Sequence, residues 1–339
     1  MNGFMTFLRN WTLPVAIFVG TVFYLVFAYT PSLDAAGDAL LPVFETLLPL
    51  SIFCTLFITF SKVDFHRMRL RRWHLYILLT QLLLVALLTL LIHHSSLIIH
   101  HSSLLISPSL RGEGWGGALD SSFSILLLES ILICVIAPCA SASPVVTAKL
   151  GGDLTQMTTF VLLSSVSMAL LIPAVFPLLE PREGITFWVA FLQILRRLAT
   201  VLLLPLLLGA IVRHWVKPLY QWFVRTPDLG FYCWCVSLSI TAGITVRNIV
   251  HSHAGSHLLG DIALLTLATA IIQFGIGRLI GRATGEHICT GQGMFQKNTG
   301  LAIWIAYMFL TPEASIGAGC YVLWQNIINS VELWRARHQ

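Results

Sequence analysis

Gly291-Gln-Gly-Met-Phe-Gln-Lys-Asn-Thr-Gly-Leu301 decides how this chain is read. It lies between two apolar stretches, Ile276–Ile280 and Ala302–Leu310. Three glycines, two glutamines, a lysine, an asparagine and a threonine fall within it. A continuous bilayer-spanning helix has no use for so many polar and helix-weakening residues together. Backbone that unwinds at membrane depth must be buried in protein or line a cavity, because hydrocarbon cannot satisfy freed N–H and C=O groups. A lysine at that depth is a candidate functional group.

The surroundings are membrane-like throughout. The chain has 339 residues, 56% hydrophobic and 10% charged, with mean hydropathy +0.82. Soluble domains carry roughly a quarter charged residues. The net charge of +5 therefore reads as membrane topology, with the lipid bilayer and no nucleic acid as partner. The seven cysteines lie mostly in apolar runs and read as small packing residues. Cys233-Trp-Cys235 lacks the spacing of a redox or zinc pair.

A span takes about 20 apolar residues. That criterion predicts segments at 12–30, 39–60, 73–92, 122–150, 154–178, 186–215, 228–248, 258–282, 287–311 and 314–334. The basic loop Lys62–Arg72 is expected on the cytoplasmic side. Counting from it puts Arg213, Lys217, Arg225, Arg278, Arg282, Arg335 and Arg337 on the same side, with both termini cytoplasmic. Arg196 and Arg197 fall at the outer interface, where they either snorkel or attract an anion. Residues 93–117, with the repeated unit His-His-Ser-Ser-Leu, read as a low-complexity insertion in an external loop. The rest, 1–92 and 122–339, reads as one transmembrane domain.

Two halves can be laid over one another, about 12–178 and 186–334. Five spans per half inverts the second half in the membrane. Each half then carries an interrupted fourth helix, at Ala137–Thr147 and at Gly291–Leu301. The expected fold is an all-α membrane protein of ten transmembrane helices in two inverted five-helix repeats, with helices 4 and 9 broken and crossing. Matched interruptions in inverted halves point to a transporter binding site. Half-helix N-termini can receive an anion there, and opposed C-termini a cation. No metalloprotease motif, catalytic carboxylate pair or Ser–His arrangement stands out, so an enzyme is not expected.

At these breaks the chain resembles the bile acid:sodium symporter family. The resemblance rests on Leu47–Phe53, Val63-Asp-Phe65, Pro138–Thr147 with Gly152-Asp153, Leu204–Gly209, Asn298-Thr-Gly-Leu-Ala302 and Tyr321–Asn326. It implies secondary transport of a small organic anion, commonly driven by sodium, with helices 1, 2, 6 and 7 moving against the others. It implies substrate contacts from Ser141, Ser143, Asn298, Thr299, Gln325 and Asn326. Gln81, Thr147, Gln296 and Lys297 would serve the cation or coupling site.

The match has departures. Pro144 stands where the family has asparagine, Met157 and Val161 where it has hydroxyls, Gly293 where it has glutamate and Lys297 where it has glutamine. Thr158 and Thr159 would compensate only in a shifted register. Sodium coupling is therefore in doubt, with no other cofactor or metal expected. Lys297 would place a tethered ammonium where sodium sits, permitting proton coupling, uniport or exchange. Asp153 and Glu129 are candidate partners for it, with Asp153 expected rather at the cytoplasmic end of the short half-helix. The competing expectation is a transport-inactive sensor or structural protein that keeps the fold. The expected location is the inner (plasma) membrane.

Overall fold

The computed structural model describes residues 12–62, 68–105, 116–179, 186–226, 229–251, 256–311 and 313–338. Among them the chain is helical, with no strand beyond one isolated bridge. Among the described residues six helices are long and apolar enough to cross a membrane, and Val15–Tyr29, Ser124–Ile136 and Thr299–Phe309 are shorter apolar helices.

The first helices are α1 (Thr12–Tyr29), α2 (Asp34–Ser61) and α3 (Arg72–Leu105). α3 shows why such helices face lipid. It buries Trp73, Ile77, Gln81, Val85 and Ile92 along one face and exposes Leu75, Leu79, Leu82, Leu83 and Leu90 on the others. Exposed leucine around a helix marks contact with hydrocarbon. α3 also continues through His93–Leu105, so the first part of the repetitive segment is helix rather than loop.

The first break follows α4 (Gly116–Ile136) and precedes the half-helix α5 (Ser143–Lys149). Pro144 sits in the first turn of α5, where its missing N–H costs nothing. Gly151, at φ +87, turns the chain into α6 (Leu154–Leu179). α7 (Phe187–Leu198) passes through a π turn at Ala199–Leu203 into α8 (Leu204–Trp215). Pro205 accounts for the irregularity, since it has no N–H to continue the ladder. The short α9 (Lys217–Arg225) leads to α10 (Leu229–His251).

α11 (Ser256–Thr284) turns at Gly285, φ +79, into α12 (His287–Phe295). α13 (Thr299–Phe309) and α14 (Ala314–His338) complete the chain. The second break is thus only Gln296–Asn298, narrower than the expected Gly291–Leu301. The glycines of that stretch lie inside helices. They permit close approach: a Cβ on Gly291 would meet Arg278 at 3.0 Å, and one on Gly300 would meet Ser237 Oγ at 3.0 Å. Glycine here signals packing, not unwinding.

Two packing groups result. α1, α2, α8 and α10 pack on one another, while α3–α6 pack with α11–α14. α13 and α14 touch α10, and α13 touches α2, which joins the groups. Lys62 Nζ donates to the Thr226 carbonyl (3.3 Å) and Arg213 to the Lys62 carbonyl (3.3 Å), so the basic loops gather at one end of the bundle. His74 Nε2 lies 3.1 Å from the Gln156 carbonyl and brings the starts of α3 and α6 to the same end.

Candidate functional site

The two breaks pair with each other. Ala140 N–H donates to the Gln296 carbonyl (2.9 Å) and Asn298 N–H donates to the Pro138 carbonyl (2.8 Å). Cys139 and Lys297 form the antiparallel bridge between them. Unwound backbone is thereby satisfied without water, as membrane depth requires. Cys139 N–H is taken by Ser164 Oγ (2.9 Å) from α6, and Lys297 N–H by Gln325 Oε1 (2.7 Å) from α14.

Both half-helix C-termini face this crossing, and both are occupied by protein donors. A helix leaves its last carbonyls unpaired and partly negative. Those of α4 receive Gln81 Nε2, at 2.7 Å to Val135 and 3.1 Å to Ala137, and Lys297 Nζ at 3.1 Å to Val135. The last carbonyl of α12, Phe295, receives the Tyr321 hydroxyl (2.7 Å), which itself accepts from Gln273 (3.0 Å). Lys297 is 1% exposed and has no carboxylate partner among the described residues.

The predicted residues divide into those at the crossing and those beside it. Gln81, Gln296, Lys297, Asn298 and Gln325 meet at the crossing. Asn298 Oδ1 caps α13 by accepting from Leu301 N–H (3.2 Å), and Thr299 opens that helix. Ser141 lies buried in the first unwound segment, and Ser143 Oγ receives the Cys139 thiol (3.3 Å). Asn326 instead turns its Nδ2 to Val322 of its own helix (2.8 Å), leaving Oδ1 without a partner among the described residues. The Thr147 hydroxyl and the Gln296 amide are buried with no hydrogen-bond partner among the described residues.

Several expectations are corrected. Thr158 and Thr159 bond back to Leu154 and Thr155 of their own helix, so neither reaches the crossing through its hydroxyl. Asp153 caps α6 through the N–H groups of Thr155 (2.8 Å) and Gln156 (3.0 Å), and is not a partner of Lys297. A Cβ on Gly293 would meet the Phe160 ring at 3.1 Å. The space beside this position is thus filled by an aromatic ring.

Ser164, Tyr321, Gln273 and Gln292 were not singled out from sequence. Serine, threonine and glutamine recur along many of these helices, and only the chain crossing shows which of them meet freed backbone. Gln292 resembles Gln296 in having both amide atoms buried with no partner among the described residues. Ser164→Ala is expected to lower stability by about 1–3 kcal/mol, because it strands a buried N–H. Thermal unfolding of the purified variant in detergent checks this, with Ser165→Ala, whose hydroxyl only bonds back to Val161, as the milder control.

Residues 46–252, more than half of the chain, match the family model described as Sodium Bile acid symporter family. No curated protein matches the chain.

Proposed function

We propose that this chain, which belongs to the sodium bile acid symporter family, carries a small organic anion across the membrane by alternating access, without the usual sodium coupling. The observation that carries the proposal is Lys297: a buried ammonium on the Val135 carbonyl, at a helix end suited to a cation. The ten spans read from sequence would form two inverted repeats with the basic loops on the cytoplasmic side of an inner membrane and both termini cytoplasmic. The group α1, α2, α8 and α10 would rock against the rest. The anion, a bile-acid-like compound, steroid sulfate or keto or hydroxy acid, would bind beside Asn298, Thr299 and Gln325.

Sodium fits this donor set poorly. It needs several hard oxygens, and the carbonyls at the end of α4 already accept from Gln81 and Lys297. Gly293 supplies no carboxylate. Lys297 would do the cation's work in one of two ways. It neutralises the anion's charge as a fixed ammonium, giving uniport or exchange, or it exchanges its proton during the cycle, giving proton coupling.

The test is uptake of labelled carboxylates into proteoliposomes. Uptake is expected to be the same with a sodium gradient as with potassium on both sides. A large stimulation by sodium would overturn the uncoupled reading. Absence of uptake under sodium, proton and exchange conditions would favour a transport-inactive sensor that retains the fold.

A further inference from the structure

We propose that the cleft between α2, α10 and the half-helix α13 is an entry site for an organic anion, with Arg247 taking its carboxylate or sulfonate. The inference rests on the carrier reading above and adds the residue and the side from which substrate enters.

The cleft holds about 100 Å³, is open to its surroundings, and lies beside the end of α10 away from the Lys62–Thr226 contact. That is below the roughly 300–1,000 Å³ usual for sites that enclose a whole small molecule, and suits the charged end of an anion whose body lies along the open wall. Leu48 of α2, Ile244 of α10, and Ile303, Trp304 and Tyr307 of α13 line it. Its wall is apolar except for one cation. Arg247 projects from α10 one turn before its end and makes no hydrogen bond or ion pair through its side chain among the described residues. A half-buried guanidinium without a carboxylate is an open fork for one. The apolar wall suits a rigid hydrocarbon body, and charge complementarity excludes a cation. This pairing fits an anion that is apolar over most of its surface.

The cleft also points at the crossing. Ile303 and Ile244 lie one helical turn above Gly300 and Thr241 respectively. There Gly300 closes against α10: its Cβ, were it present, would meet Ser237 Oγ at 3.0 Å and Thr241 Oγ1 at 3.3 Å. Thr241 is 1% exposed, and its hydroxyl has no hydrogen-bond partner among the described residues. A substrate held by Arg247 would therefore stand directly above the contact between the two packing groups, a contact whose opening admits it to Asn298. The opposite flank of α13 repeats the charge: Arg197 lines a second cleft with Phe176 and Phe309, and its Nη1 lies 3.4 Å from Met308 Sδ.

The experiment titrates the full-length protein in lipid nanodiscs with cholate and with its neutral amide, by calorimetry. Wild type is expected to prefer cholate. Arg247→Gln is expected to weaken cholate binding about 10–100-fold while leaving the amide unchanged, as loss of one charge-assisted hydrogen-bonded pair implies. Arg247→Lys should restore part of the preference. An arginine that merely balances the C-terminal carbonyls of α13 would, on removal, lower the melting temperature without changing the preference. That result, or equal binding of cholate and amide by wild type, overturns the proposal. Proteoliposome uptake separates it from the carrier reading. If Arg247→Gln transports cholate with unchanged KM, the entry site falls and the carrier stands. If wild type moves no carboxylate yet binds cholate through Arg247, the carrier reading falls and the site stands.

Discussion

Lys297→Met is expected to abolish anion uptake while making the protein more stable. The side chain is 1% exposed, and its ammonium has three donors but, among the described residues, one acceptor, the Val135 carbonyl. No carboxylate balances it among the described residues. Taking an ammonium out of water costs several kcal/mol, which a single hydrogen bond does not offset. Methionine keeps the length and removes the charge. The Val135 carbonyl is not orphaned, because Gln81 Nε2 still donates to it at 2.7 Å. Replacing a buried charge with an apolar side chain of like volume raises stability by about 1–4 kcal/mol in comparable cases. Nor does the backbone bridge to Cys139 depend on the side chain. Thermal unfolding in detergent and proteoliposome uptake measure the two halves of the expectation. Lys297→Gln separates charge from hydrogen bonding, since its amide can still reach a carbonyl. Wild-type uptake and ion dependence in both variants would remove Lys297 from the coupling scheme.

Gly281→Val is expected to prevent assembly of the crossing altogether. Gly277 and Gly281 stand four residues apart on one face of α11, the spacing that lets two membrane helices approach through backbone. The half-helix α12 lies on that face. A Cβ at Gly281 would sit 2.2 Å from His287 Cα and from Thr290 Oγ1, and one at Gly277 would sit 2.5 Å from the Thr290 carbonyl. Backbone cannot yield as a flexible side chain does, so α12 must move away from α11. The cost should exceed about 3 kcal/mol, the upper end of ordinary overpacking. Displacing α12 also shifts Gln296 and Asn298, whose pairing with Ala140 and Pro138 closes the site. Low yield, a lower melting temperature and lost uptake are expected together. Gly275→Ala on the same helix is the control: nothing lies within 4 Å of its Cβ, so it should be neutral or slightly stabilising.

The two breaks were legible because polar residues inside apolar spans have few explanations. Pro138, Pro144, Lys297 and Asn298 mark them directly. The extent of the second break was not legible. Glycines at 291, 293 and 300 look like unwinding in sequence, yet they serve contacts with Arg278, Phe160 and Ser237 that no local pattern encodes. Asp153, one of two candidate partners for Lys297, is satisfied within three residues of itself, by α6. Arg247 carries no signal in the sequence, because it lies near the end of a span, where a lone arginine usually needs no explanation. Only the cleft beside it gives it a role.

Sequence by itself determined that this is a helical membrane protein with two interrupted helices and a lysine at one of them. Composition and the length of apolar runs suffice for that, because the bilayer imposes the same demand on every residue of a span. Tertiary structure alone decided which groups meet the freed carbonyls. Gln81 and Val135 are 54 positions apart, and Lys297 and Val135 are 162 apart. Such pairings depend on how the half-helices cross. Backbone groups freed at membrane depth must be satisfied by whatever the fold brings within 3 Å or so.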